Sequence, residues 1–243
     1  ITCCNDMYFY PDAAGPAFVE LGMRALLGLP VLDFPTPYAA DADGYLQAGL
    51  SARDALKHEP KLAFSLAPHA PYTVGDATFE RIVMYARQLD LPIQTHIAET
   101  AHEVEESCAR HGQSPLARLH RLGATGASFI AIHGVHFDAD DIDLLATHGG
   151  HVVHCPASNM KLASGVAPVA AGRAAAGLGF LALDLGLAVD PAFHADDAVN
   201  GAGFMEAVVN RDAQGLQRHL AEAIPFRAGD VGTCLADRID AAE

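Results

Sequence analysis

The chain is short of basic residues, of paired cysteines and of long apolar runs, and each shortage excludes something. Lys plus Arg total 15 against 30 Asp plus Glu, giving a formal charge of −15. A surface with that balance repels phosphate backbones and anionic lipid, so neither nucleic acid nor membrane is an expected partner. The acidic residues are scattered and form no tail, which reads as a solvated surface. The five cysteines, Cys3, Cys4, Cys108, Cys155 and Cys234, are odd in number and contain no CxxC pair. That pattern predicts reduced thiols and a cytoplasmic protein, with no disulfide framework. No apolar run is long enough to span a bilayer and no basic-then-apolar leader opens the chain. No GxGxxG or GxxxxGK follows an apolar run, so a nucleotide-binding open sheet has no support.

What is present is a core and a rhythm. With 243 residues and 51% hydrophobic content, the chain can bury a large core, and one domain over 1–243 is expected. Seven apolar runs, at 1–9, 25–34, 61–69, 91–99, 128–136, 150–156 and 177–186, alternate with amphipathic stretches. In the stretch 76–90, Phe79, Ile82, Val83 and Ala86 fall on one helical face. The stretch 138–149 has an acidic first turn and a closing Gly, and 199–223 also carries a helical pattern. Strand followed by helix, repeated, predicts a parallel α/β fold.

Polar residues gather where those runs end: Asp6, Asp33, His69, His96, Glu99, His133, His136, His154 and Asp184. In a (β/α)8 TIM barrel such positions ring one mouth and build the active site. A doubly wound sheet would concentrate them at one switch point. The barrel is therefore the expected fold.

The segment QTHIAET (94–100) ends an apolar run with His96 and, three residues on, Glu99. A neutral imidazole at a strand end is a good ligand for Zn²⁺ or Fe²⁺. A carboxylate just beyond it can carry protons to and from a metal-bound water. Alone, an HxxE pair is more often the start of a helix with no chemistry. It has company: His69 ends the preceding run in LAPHAPYT (66–73), and His133 and His136 end the following one in IAIHGVH (130–136). His154 extends the series, with Asn159, as a residue that shapes its loop.

LAPHAPYT, LPIQTHIAET, IAIHGVH and VVHCPASNMKLASGVAPV, in that order, resemble the amidohydrolase superfamily. The opening ITCCNDMYFYPDAA and LGLPVLDFPT are similar to its methylthioadenosine/S-adenosylhomocysteine deaminase branch, related to the triazine hydrolases. The resemblance covers residues 1–175 and implies a metal-dependent TIM barrel that hydrolytically deaminates the adenine ring of a purine nucleoside, releasing ammonia. It implies His96 as metal ligand, and Glu99 as the group that protonates the ring nitrogen and relays the water proton. It implies His133 as the residue orienting water and tetrahedral oxygen, and His69 as a contact to the purine. The divalent metal implied is Zn, with Fe as the alternative.

Two departures shape the expectation. The family uses an HxH pair at its first strand, and no HxH occurs here. The first strand and the flanking β-sandwich are thus expected to be missing, and the chain is expected to open in the family's second strand, as if truncated at its N-terminus. The family's eighth strand ends in a metal-binding Asp; Asp184 is the nearest candidate, with Asp190, Asp196 and Asp197 competing. An incomplete ligand set predicts weak Zn²⁺ binding and poor deamination. Two unpaired sheet edges predict partner contacts, in a homo-oligomer. A triazine-type chlorohydrolase or aminohydrolase, and a truncated non-catalytic barrel kept for binding, are the rival readings.

Overall fold

The computed structural model describes residues 3–182 and 206–207. Its sheet contains β1 (Cys3–Asp6), β2 (Arg24–Val31), β3 (Leu62–Pro68), β4 (Ile93–Ile97), β5 (Phe129–His133), β6 (His151–His154), β7 (Gly179–Ala182) and β8 (Glu206–Ala207). All seven apolar runs contain a strand. The strand order is β7-β6-β5-β4-β3-β2-β1-β8, and β1 to β7 pair in parallel with sequence neighbours throughout. An order that never reverses has no switch point, which is the wiring of a barrel wall and not of a doubly wound sheet.

The sheet is curled, and one hydrogen bond proves it. Gln94 Nε2 on β4 donates to the Asp6 carbonyl on β1 at 3.3 Å. Two strands lie between β1 and β4, so a flat sheet would hold them about 14 Å apart. No glutamine side chain bridges that gap; the strands must bend round a common interior. Gly28 on β2 makes room, because a Cβ there would lie 2.6 Å from Gln94 Nε2 and 2.8 Å from the Asp6 carbonyl oxygen.

Helices cover the outside. The helix α3 (Asp76–Leu89) buries Phe79, Ile82, Val83 and Ala86, the face its periodicity indicates. It stops at Asp90, which takes a left-handed conformation and bonds its amide back to Ala86. Two helices precede it, α1 (Pro11–Glu20) and α2 (Ala42–Leu56). Two more, α4 (Ala101–His111) and α5 (Pro115–Arg121), fill the connection from β4 to β5. In α6 (Ala139–Thr147) the N-cap Asp138 accepts from the Asp141 amide. Two short helices, α7 (Pro156–Lys161) and α8 (Val169–Ala174), follow β6. The apolar core runs between these helices and the sheet and includes Leu27, Leu66, Phe79, Ile97 and Phe129, all essentially inaccessible.

Two expectations are corrected. The helical pattern over 199–223 contains β8 at 206–207, because strand pairing with β1 at Cys4 and Asn5 overrides local propensity there. That antiparallel pairing also covers the β1 edge, which was expected to be bare. Asp184, Asp190, Asp196, Asp197 and Cys234 lie outside the described residues. No disulfide joins Cys3, Cys4, Cys108 and Cys155 to one another, and no helix among the described residues is long and apolar enough to cross a membrane.

Candidate active site

His69, His96 and His133 come from adjacent strand ends and gather at the C-terminal mouth, His69 edge to face with His96 and His133 tilted against it. The His69 and His96 ring centroids are 5.2 Å apart, and those of His96 and His133 are 5.4 Å apart. Glu99 joins them, its Oε2 lying 3.5 Å from His133 Nε2. The four residues singled out from the sequence are therefore one cluster.

The hydrogen bonds settle the tautomer of each ring. Thr73 donates its hydroxyl hydrogen to the Ala70 carbonyl at 3.1 Å, so its oxygen accepts from His69 Nδ1 at 3.0 Å. His96 Nδ1 donates to the His69 carbonyl at 3.0 Å. His133 Nδ1 donates to Asn159 Oδ1 at 2.8 Å. In all three rings Nδ1 carries the hydrogen and Nε2 is left as the working nitrogen. Burial pushes the His69 ring below its ordinary range. His96 is pushed well below it, first by burial and then by its two histidine neighbours. A neutral ring with a fixed Nδ1–H, as in His69 and His96, is the form in which histidine binds metals.

The backbone is bent to present these groups. Ala98 and His133 sit at φ 50° and 76°, in the left-handed region that a Cβ disfavours. The turn through Ala98 carries the chain off β4, and Glu103 accepts from the amides of Ala98 and Glu99. The loop after β6 closes the other side. Asn159, almost fully buried, holds His133 and leaves its Nδ2 without a partner among the described residues. Ser164 donates to Glu99 Oε1 at 3.5 Å, and its carbonyl bonds His136 Nε2 at 2.7 Å. His136 is thereby committed away from the cluster. His154 ends β6, the strand beside β5, and Asp6 ends β1, where burial lifts its carboxyl to about 6.

Asp33 does a different job. Its carboxylate accepts from the Gly75 amide and the Thr78 hydroxyl, bracing the loop that carries His69 and the start of α3. A cavity of about 520 Å³ lies between that loop, α4 and α5, lined in part by Tyr72, Glu103, Arg110 and Arg118. None of the three clustered histidines lines it.

The sequence reading missed Glu103, Gln94 and Thr73. Glu103 had a signal, since Thr100 followed three residues later by Glu103 is a capping box. Gln94 was visible as an amide inside an apolar run.

Residues 1–207 match the Amidohydrolase family. The chain belongs to that family. It is 46% identical over 168 residues to a 5-methylthioadenosine/S-adenosylhomocysteine deaminase of Saccharophagus degradans, covering 69% of this chain and 38% of that protein. It is 37% identical over 168 residues to a 5'-deoxyadenosine deaminase of Methanopyrus kandleri, covering 69% of this chain and 39% of that one. The zinc-bound crystal structure of an adenosine deaminase from Xanthomonas campestris superposes with a TM-score of 0.71 at 44% identity, over 74% of this chain and 41% of that one. The zinc-bound atrazine chlorohydrolase of Arthrobacter aurescens, with a TM-score of 0.66 at 22% identity over 74% of this chain and 44% of that one, shares the fold. The chain thus spans about two fifths of the length of these relatives.

Against a metal, the donor set fits in part. His96 offers a lone-pair Nε2 on a neutral ring whose Nδ1–H is already held. Among the described residues, no group of three His, Cys, Asp or Glu is arranged to hold a metal ion.

Proposed function

We propose that the protein acts in hydrolytic deamination of an adenine ring, on nucleosides of the methylthioadenosine and S-adenosylhomocysteine kind, with release of ammonia. The observation that carries the reading is the Glu99 carboxylate 3.5 Å from His133 Nε2, beside the neutral His96. Deamination needs a proton delivered to a ring nitrogen and to the departing amine, and one taken from the attacking water. Glu99 would move those protons. His133, its Nδ1 held by Asn159, would orient the attacking water and the developing oxygen with Nε2. His69, just past the end of β3, would contact the purine. The names of the relatives, at 37% to 46% identity, support this substrate class.

His96 would hold the metal, zinc before iron, with Asp184 as its expected partner outside the described residues. When bound, such an ion lowers the pKa of a coordinated water to about 7 and so supplies hydroxide at neutral pH. With no HxH pair in the sequence, this chain is expected to bind the ion weakly.

The test is a Zn²⁺ titration of metal-free protein followed by ammonia release from methylthioadenosine. The expected outcome is weak binding and slow release that rises with zinc. Glu99→Gln should lower that release by about a hundredfold or more, the usual contribution of a general acid–base. Release that ignores Glu99→Gln would reject the assigned role. No release from any adenine nucleoside would select the non-catalytic barrel, the reading that the absent HxH pair favours.

A further inference from the structure

Glu103 lies in the first turn of α4, three residues after the N-cap Thr100. Thr100 Oγ1 accepts from the Glu103 amide at 3.2 Å, the first half of an ordinary capping box. The second half departs from the pattern. An ordinary box returns the glutamate to the N–H of the cap residue itself. Here Oε1 accepts from the Ala98 amide and Oε2 from the Glu99 amide, both at 2.9 Å. The carboxylate has reached past the cap to the turn that delivers Glu99.

That turn needs holding. Ala98 is in the left-handed region, where a residue with a Cβ relaxes unless its surroundings prevent it. Capping alone does not explain the choice of side chain. Thr100 already caps the helix, and burying a carboxylate is unfavourable where a neutral amide of the same shape would fit. Glu103 is only 6% exposed, and burial lifts its carboxyl to about 7. What the carboxylate supplies, and glutamine does not, is two equivalent acceptor oxygens for two adjacent amides.

We propose that Glu103 is a positioning residue, whose carboxylate clamps the Ala98–Glu99 turn and so aims the Glu99 carboxylate at His133 Nε2. The importance of that aim rests on the proton-handling role proposed for Glu99. The clamp itself is tested without turnover.

The experiment compares wild type, Glu103→Ala and Glu103→Gln by amide hydrogen exchange and by the ring ¹⁵N signals of the histidines. In Glu103→Ala, protection of the Ala98 and Glu99 amides should fall by about tenfold or more, as expected for lost bonds to a charged acceptor. Ile130 and Ile132 on β5 should keep theirs. The His133 ring signals should shift, while those of His120 on the outer surface stay in place. Glu103→Gln keeps one acceptor oxygen and should lose protection at one of the two amides. Where the protein turns over, Glu103→Ala should lower kcat by a larger factor than it changes KM, because the clamp acts on the proton-handling Glu99. Unchanged protection and unchanged His133 signals in Glu103→Ala would overturn the proposal. So would protection lost evenly across β5, which would make Glu103 a general structural residue. If Glu103→Ala fails to fold, Glu103→Gln decides by the same two measurements. A wild type without turnover counts against the deaminase reading, and exchange and ring signals still judge the clamp.

Discussion

At or beside their N-terminal ends β3, β4 and β5 bury Leu62, Ile93 and Phe129, none of them at positive φ. At or just past their C-terminal ends the same three strands deliver His69, His96 and His133. Two left-handed residues, Ala98 and His133, and a buried carboxylate, Glu103, surround those rings. The lower end follows every local rule for a buried parallel strand. The upper end breaks several at once, and does so where the polar groups converge. Local rules are broken in folded proteins where function requires it, with stability supplied elsewhere. The comparison therefore teaches a division of labour along each strand, with packing below and chemistry above.

The sharpest way to break that division is to injure the lower end. Phe129 is 1% exposed and belongs to the main core cluster. Phe129→Ala removes its buried ring and leaves a cavity, so it should lower stability by about 3–5 kcal/mol. Urea denaturation measures this directly. The division fails if Phe129→Ala costs no more than alanine placed at the mouth.

The second prediction uses pH and concerns the upper end. The Glu103 carboxyl is raised from 4.5 to about 7 in the folded protein. The folded state therefore keeps this proton to higher pH than the unfolded chain does. The resulting stabilisation is complete below pH 4.5 and is lost as pH rises to about 7. That gap corresponds to about 3 kcal/mol. Asp6 is also raised, to about 6, with the same sign. It is present in wild type and in Glu103→Gln alike, so it cancels in their difference. Wild type should lose about 3 kcal/mol relative to Glu103→Gln between pH 4.5 and 7.5. Parallel stability curves for the two proteins would show that the buried carboxylate carries no such penalty.

Legibility in the sequence follows the same line. The lower end was readable, because apolar runs and helical periodicity are local signals. All seven runs hold strands, and the face of α3 was named residue by residue. The histidine cluster was readable too, since successive strand ends of a barrel share one mouth. What was not readable depended on contacts between distant positions. Gln94 reaching Asp6, and Asn159 fixing His133 across 26 residues, need the curled sheet before they exist. The β8 pairing with β1 overrode a helical pattern for the same reason. Glu103 is the instructive miss. It was visible as a cap, and its reach to Ala98 and Glu99 appears only once the turn has its shape.

The smallest effect separates the two duties at the start of α4. Thr100 caps the helix through its hydroxyl and touches neither clamped amide, while Glu103 bonds both. Thr100→Ala removes one N-cap bond and should lower stability by about 1 kcal/mol. It should leave the Ala98 and Glu99 amides protected, because their acceptor remains. Glu103→Gln should do the reverse above pH 7, where wild type holds an ionised buried carboxylate. There the variant should be as stable as wild type or more stable, with one of the two amides exposed to exchange. Chemical denaturation and amide exchange on both variants check the pair together. If Thr100→Ala also released the two amides, the clamp would depend on the cap, and the first turn of α4 would be one device instead of two.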